Sequence, residues 1–499
     1  VSRAVAVPND FDPVPSASAA IVVSVAAAVP AGARAVGVAV PAAGAVPALL
    51  GLSREAVAAA GFTGAPGRTL ATTDAEGRAV IAVGTGDGRL DPAAVRDAAA
   101  AFALAAAAHG ELALVLDGLG EDAAAAQAAV EGVLLARYEY AALRSTRRGT
   151  AVTALTIVTS ADTAAVTAGA ERGAVLARAT SISRDLANCP PAHLSAVRMA
   201  QVAERLGEAA GLTVEVFDRD ALLDLRCGGL LGVNGGSTDE PRMVRLGYAP
   251  TGEARGRVAL VGKGIMYDSG GISLKPADGT HATMKNDMSG AGALLAVMTV
   301  LRELDCPVAV TAYLMCTDNM PSGDALKMGD VITARNGTTV EVANTDAEGR
   351  LVMMDALVMA AEQQPDAIVD IATLTGASMR ALGTLVAGVM GNDQALVERL
   401  LAAARQTDER AWQLPLERAY RVQLDSDVAD ISNLGGPNAG AITAALFLEE
   451  FVAGLPWAHV DIAGTAQADP AGSWRPQGCT GFGARLLAEF LVAFEGESR

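Results

Sequence analysis

Val261-Gly-Lys-Gly-Ile-Met-Tyr-Asp268-Ser-Gly-Gly-Ile-Ser-Leu-Lys275 joins an apolar run, Val258 to Gly262, to a polar, glycine-rich turn. A buried strand that runs into such a turn is the repeating unit of an α/β sheet. The pattern recurs four times downstream. Val308 to Met315 leads to Thr317-Asp-Asn-Met-Pro-Ser-Gly323, and Thr339 to Ala343 leads to Asn344 through Arg350. Ile368 to Ala372 leads to Thr373-Leu-Thr-Gly376, and His459 to Ile462 leads to Ala463-Gly-Thr-Ala466. Open α/β sheets bind ligands beyond the carboxyl ends of their strands. Loops of this kind within one half of the chain predict a single site built from all of them.

Those loops hold an unusual set of charges. Lysine and arginine total 38, yet only four are lysines, and all four lie between Lys263 and Lys327: Lys263, Lys275, Lys285 and Lys327. A lysine kept where arginine serves elsewhere is a candidate for chemistry a guanidinium cannot perform. Its amine can lose a proton and donate a lone pair, or act as a compact point charge. Asp268, Asp287, Asp346 and Glu348 stand at or near the same strand ends. Clustered carboxylates do not all ionise side by side unless cations compensate them, so a divalent metal, and more readily two, is expected. Lys263 among them is expected to carry a lowered pKa and to ligate as a neutral amine. Lys275 is read as a cation beside the reacting group, and Arg350 as a clamp for an anion or a balance for the acids. His281 is the nearest histidine, and its polar loop predicts a solvent-facing ring rather than a general base.

The rest of the composition bounds the class. Of 499 residues, 51% are hydrophobic but only 4% aromatic, so the cores are made of Ala, Val and Leu in helices and strands. A formal charge of −18 argues against nucleic acid or an anionic membrane as partner. Five cysteines without CxxC spacing (Cys189, Cys227, Cys306, Cys316, Cys479) form neither a disulfide framework nor a zinc knuckle, and suit a reducing, cytoplasmic setting. Ala17 to Val29 lacks a basic leader and is read as a strand. No run reaches the roughly 18 apolar residues of a spanning helix.

The first half carries little chemical punctuation. Val36 to Val40, Ala79 to Val83, Leu112 to Leu116 and Ala151 to Val158 read as strands. Asp91 to His109 and Glu121 to Tyr138 read as helices. A further helix, Ala161 to Ala187, stops at Asn188-Cys-Pro-Pro191. The expected fold is α/β: a small N-terminal α/β domain, residues 1–165, and a larger C-terminal domain, residues 166–499, with a central mixed β-sheet flanked by helices. The first domain is expected to shape, cap or oligomerise the molecule.

Asn344-Thr-Asp-Ala-Glu-Gly-Arg-Leu351 resembles the signature of the leucyl (cytosol) aminopeptidases, a family of dizinc exopeptidases. The Val261–Lys275 stretch, Asn319-Met-Pro-Ser-Gly323, Asp370-Ile-Ala-Thr-Leu-Thr-Gly-Ala377 and Trp457-Ala-His-Val-Asp-Ile-Ala-Gly-Thr-Ala466 resemble its other blocks, over about residues 180–490. The resemblance implies that Lys263, Asp268, Asp287, Asp346 and Glu348 ligate two divalent ions, zinc or manganese, with Asp268 and Glu348 bridging. It implies that Lys275 polarises the scissile carbonyl and that Arg350 holds a bicarbonate as general base. Met284, Asn344, Thr373, Leu374 and Gly376 would line the substrate pocket. The implied reaction is removal of the N-terminal residue of a peptide, leucine or another apolar residue, by a metal-bridged hydroxide. The implied assembly is a homo-hexamer. The Lys275–Asp287 loop is one residue longer than the family pattern, Asp318 stands where Glu is common, and Cys227 where Met is usual. Two other readings compete: a two-metal phosphoesterase, and a family member with a DNA-binding or scaffolding role.

Overall fold

Alternating Val and Ala runs of the first half form six strands: β1 (Val22–Ala26), β2 (Ala35–Val40), β3 (Thr69–Thr73), β4 (Ala79–Gly84), β5 (Glu111–Val115) and β6 (Ala154–Val158). The computed structural model describes residues 7–8, 10–87 and 90–496. The six strands order as β1-β6-β5-β2-β4-β3. All neighbours are parallel except the β3–β4 pair. The Ala-rich helices Pro92–Ala105 and Ala123–Ala136 pack on this sheet, each started by an aspartate, Asp91 or Asp122, that accepts a free amide of the first turn. Small side chains let them approach until a Cβ on Gly132 would stand 2.3 Å from the Arg96 carbonyl oxygen. Between them the buried Arg96 and Glu131 pair at 2.7 Å. This unit comprises Pro15–Ser181 and Ala468–Gly478, and Trp474 from the second segment lies in its core.

Among the described residues, the other unit comprises those up to Val14, Ile182–Gln467 and those from Cys479 onward. Its strands are β7 (Thr213–Phe217), β8 (Arg242–Tyr248), β9 (Arg257–Asp268), β10 (Ala309–Asn319), β11 (Val331–Thr333), β12 (Thr339–Glu341), β13 (Ala367–Ala372), β14 (Ala387–Gly391), β15 (Ala411–Gln413), β16 (Ile431–Ser432) and β17 (Trp457–Asp461). Eight form one mixed sheet, β15-β14-β17-β13-β9-β10-β8-β7. Its centre, β17-β13-β9-β10, is parallel, and its flanks bring in antiparallel pairs. Helices cover both faces. On one side Gly262 of β9 meets the helix Ser289–Met298, so close that a Cβ on Gly262 would stand 2.9 Å from Ala291 Cα. On the other, Val261, Ile265, Tyr313 and Ile368 share an apolar core with Met353, Met354 and Leu357 of the helix Glu348–Glu362. The α/β class and the mixed, helix-flanked sheet are as the sequence predicts.

Two local expectations change. The run Val258–Gly262 does not end at Gly262, because β9 continues through Lys263 to Asp268 and stays paired with β10 to its end. The run at Thr339–Ala343 does not join the large sheet. It forms β12 of a separate three-stranded sheet, β11-β12-β16. Short apolar runs show that a strand exists but not which partner it finds.

Close helix–sheet approach gives the first test. A Cβ on Gly290 would lie 2.1 Å from the carbonyl oxygen of Ile371 in β13. Backbone cannot yield as a side-chain tip can, so Gly290→Ala is expected to destabilise by about 1–3 kcal/mol. A thermal melt of the purified protein should show the midpoint several degrees lower, whereas an unchanged midpoint would show that the helix can slide.

Candidate metal centre

Strand β9 presents both Lys263 and Asp268 to the same place, and a bulge makes this possible. The two residues are five apart, an odd number, which in a regular strand puts them on opposite faces. Against β10, Ile265 pairs with Thr317 and Tyr267 with Asp318, so Met266 is an extra residue in the register. The extra residue turns Asp268 back to the side of Lys263. The partners of the two, Met315 and Asn319, are four apart on β10 and share a face.

The other three acids arrive from two segments. Asp287 follows a 3-10 turn, Met284–Asn286, at the entrance to the helix Ser289–Met298. Glu348 begins the helix Glu348–Glu362, and Asp346 stands just ahead of it, where Asn344 Oδ1 accepts its amide at 2.8 Å. One oxygen each from Asp268, Asp346 and Glu348 lies within 4.8 Å of the others. The two lysines thread this group. Lys263 Nζ stands 2.8 Å from Asp287 Oδ2 and 2.7 Å from Glu348 Oε1, and donates to the Thr373 carbonyl at 3.0 Å. Lys275 Nζ stands 2.6 Å from both Asp268 Oδ2 and Asp346 Oδ1. All are buried except Asp346 and Lys275, with side chains 35% and 14% exposed, which mark the open side.

Burial raises the carboxyl pKa of Glu348, Asp287 and Asp346, and the neighbouring Asp268 charge adds to it, while the lysines oppose the rise. Burial works against the Lys263 charge, but Asp287, Glu348 and Asp268 outweigh it and hold the ammonium well above its usual range. The lowered pKa expected from sequence is therefore reversed while carboxylates are its charged neighbours. A divalent cation in their midst acts in the opposite sense and favours the free amine. The set fits such an ion: four carboxylates face two amines, and Glu348 Oε2 is a buried acceptor without a hydrogen-bond partner. Oxygen donors with one amine suit zinc or manganese.

The remaining candidates surround this group. The Thr373 hydroxyl donates to Asp287 Oδ1 at 2.7 Å. Met284 is half-buried, and Gly376 is exposed at the start of the helix Gly376–Leu382. Leu374 donates its amide to Asp461 Oδ1 at 3.3 Å. Arg350 is buried and donates from Nη1 to the Asn433 carbonyl at 2.8 Å, while its Nε has no partner. Burial pushes its pKa down to about 10, opposed by Glu348 and Asp461.

Several supports were not read from sequence. Asn319 Nδ2 bridges Asp268 Oδ1 at 2.8 Å and the Thr345 carbonyl at 3.0 Å. Asn433 Oδ1 accepts the Ala343 amide at 2.8 Å, and its Nδ2 donates to the Asn344 carbonyl at 2.8 Å. Asp461 accepts the Thr375 hydroxyl at 2.7 Å. Gly270, at φ +90°, takes a conformation that favours glycine and leaves room for Asp346 Oδ1, 2.9 Å from where a Cβ would sit. His281 does not face solvent as expected. Its ring is half-buried, 3.1 Å from the Tyr267 hydroxyl through Nδ1 and 3.2 Å from the Lys275 carbonyl through Nε2.

Comparison with known proteins follows the same lines. Residues 181–488 match the cytosol aminopeptidase family, catalytic domain, and residues 34–147 match the cytosol aminopeptidase family, N-terminal domain. A relative from Chlorobaculum parvum named probable cytosol aminopeptidase is 48% identical over 332 residues, 66% of each protein, so the match spans about two thirds of that relative's length. Another of the same name, from Solibacter usitatus, is 44% identical over 417 residues, covering 83% of this chain and 86% of the relative. Among solved structures, the bottromycin maturation enzyme BotP in complex with Mn is 38% identical with a TM-score of 0.85, covering 93% of this chain and 99% of that one. A tomato leucine aminopeptidase mutant is 29% identical with a TM-score of 0.86, covering 96% and 98%.

The floor of the group is testable at Gly349, where a Cβ would stand 2.7 Å from Lys263 Cε and 2.9 Å from its Nζ. Lys263 is held by three partners and has nowhere to retreat. Gly349→Ala is expected to weaken manganese binding about tenfold, a cost of about 1.4 kcal/mol, with the circular dichroism spectrum unchanged. Wild-type affinity in a calorimetric titration would show that Lys263 does not set the site.

Proposed function

The chain belongs to the cytosol aminopeptidase family, and from that premise we propose that it is a metal-dependent aminopeptidase that removes the first residue of peptides. It is a metallo-exopeptidase, a hydrolase. The observation that carries the reading is the gathering of Asp268, Asp346 and Glu348 around two lysines at the ends of neighbouring chain segments.

In this reading Lys263, Asp268, Asp287, Asp346 and Glu348 would hold two divalent ions. Zinc or manganese fits, and a solved relative contains manganese. When bound, such a pair polarises a peptide carbonyl and lowers the pKa of a water toward neutrality. The chain supplies the rest. Burial opposes the Lys275 charge, but Asp268, Glu348 and Asp287 outweigh it and hold the ammonium above its usual range. An ammonium at the open side is suited to stabilise the oxyanion that forms at the carbonyl. Arg350, with its unpartnered Nε, would hold a bicarbonate, which would supply a general base beside the carbonyl. Met284, Asn344, Thr373, Leu374 and Gly376 line the pocket of an apolar first residue, leucine among them.

Further parts of the reading rest on kinship. The enzyme works as a homo-hexamer in the cytoplasm, and the domain of residues 1–165 shapes, caps or joins its subunits. We assign the catalysis to the unit of Ile182–Gln467 and the segment that begins at Cys479, in place of the whole of residues 166–499 expected from sequence. The names of the relatives support the compartment. No described helix is long and apolar enough to cross a membrane. A nucleic-acid partner is not expected at a formal charge of −18. The phosphoesterase alternative is not favoured by the family match.

Two substitutions separate the roles. Lys275→Ala is expected to lower kcat on leucine p-nitroanilide about 100- to 1000-fold, as loss of an oxyanion donor does, with two metals retained by elemental analysis. Near wild-type turnover would remove Lys275 from the chemistry. Asp346→Asn is expected to lose metal as well as activity, and full occupancy in that variant would remove Asp346 from the ligands. Turnover of p-nitrophenyl phosphate in place of the anilide would favour the phosphoesterase.

A further inference from the structure

Lys275 has a flexible four-carbon stem and lies on a long excursion between β9 and the helix Ser289–Met298. Its ammonium is useful only if the main chain beneath it is fixed. Three observations show how it is fixed. The Lys275 amide donates to the Ser269 carbonyl at 2.9 Å, which ties the residue to the turn after Asp268. Its carbonyl stands 3.2 Å from His281 Nε2. The same imidazole reaches Tyr267 on β9, with Nδ1 3.1 Å from the hydroxyl and the two ring planes inclined at 23°.

The chemistry of the partners fixes the tautomer. A carbonyl oxygen only accepts, so Nε2 carries the proton. In the neutral ring Nδ1 is then the lone pair, and the Tyr267 hydroxyl donates to it. The chain around His281 is arranged to hold it there. Asp278 donates its amide to the Pro276 carbonyl at 2.8 Å and accepts the Thr280 amide on Oδ1 at 2.8 Å. These bonds start the single helical turn Thr280–Thr283 that carries the histidine.

We propose that His281 is a positioning residue for Lys275: its imidazole clamps the Lys275 carbonyl to the end of β9 through Tyr267, and so sets where the ammonium stands beside Asp268 and Asp346. The inference rests on the reading of Lys275 as the residue that serves the peptide carbonyl.

The test uses the full chain loaded with Mn and steady-state hydrolysis of leucine p-nitroanilide by four proteins: wild type, Lys275→Ala, His281→Ala and His281→Gln. His281→Ala is expected to lower kcat about tenfold, because a displaced donor loses its alignment with the oxyanion. KM should stay within about twofold, since only transition-state contact is lost. Metal content and thermal midpoint should match wild type. Glutamine offers an N–H for the Lys275 carbonyl and an oxygen for Tyr267, so His281→Gln should regain most of the lost kcat. A wild-type kcat in His281→Ala, a loss that appears in KM instead, or a loss that glutamine does not repair overturns the clamp. If Lys275→Ala itself turns over normally, the reading of Lys275 fails. If Lys275→Ala is inactive while His281→Ala is fast, only the clamp fails.

Discussion

Four carboxylates share one small volume with two ammonium groups, and the surrounding fold is arranged around that charge. Two like charges 4 Å apart repel by about 4 kcal/mol at an effective dielectric of about 20. Asp268, Asp346 and Glu348 each bring an oxygen within 4.8 Å of the others, so their ionised forms are opposed unless cations intervene. Lys263 and Lys275 do intervene, each between two acids. The carboxylates hold the amines charged, whereas the amines only partly offset the burial and like charge that raise the Glu348 carboxyl to about 8. An arrangement of this kind is poorly suited to stabilising a fold, since burying ions costs more than apolar packing. It is well suited to receiving divalent cations, which bring more charge to the same oxygens than two amines can.

Keeping such a cluster in register requires hydrogen-bonding anchors at longer range. Asn319 ties Asp268 to the main chain at Thr345, 26 residues away. Asn433 holds both sides of the Asn344 segment, and Asp461 holds the Thr375 turn from the neighbouring strand β17. Each anchor is one side chain that closes two or more hydrogen bonds to a loop. The acids consequently hang from the rigid sheet and not from the loops that carry them. This is also why the mixed eight-stranded sheet matters to the chemistry. Its parallel centre ends at one edge, where β9, β10, β13 and β17 release their chains together.

Much of this was legible in the amino-acid order. Apolar runs ending in Gly-rich polar turns gave the strands, and Lys263, Lys275, Asp268, Asp287, Asp346 and Glu348 were grouped from charge logic alone. The geometry brings those six together. What was not legible depends on register or on distant partners. No pattern marks Met266 as the extra residue that returns Asp268 to the face of Lys263, because a bulge is a relation between two strands. The run ending at Ala343 looked like a member of the large sheet, since sequence fixes a strand's propensity but not its neighbour. His281 looked solvent-facing because its two partners, Tyr267 and the Lys275 carbonyl, meet it only when the loop folds back. Asn319, Asn433 and Asp461 belong with His281: polar residues whose partners are remote in sequence leave no local period to detect.

Lysine scarcity deserves a narrower meaning than it first suggests. All four survivors lie in one stretch, but only Lys263 and Lys275 stand among the carboxylates. Lys285 donates to the Asn188 carbonyl at 2.7 Å, and Lys327 to the Ala325 carbonyl at 3.3 Å. Neither pair involves an ionised acid. Lys285 meets the carbonyl at the end of the helix Thr163–Asn188, where the last peptide oxygens have no intrahelical partner. A compact ammonium can satisfy one such oxygen in a confined space, whereas a planar guanidinium brings several donors that would each need an acceptor. Lys285 fits that account, whereas Lys327 is exposed and meets no such constraint. Lys263 and Lys275 are distinguished from Lys285 and Lys327 by their partners, two carboxylates each, and not by the rarity of the residue.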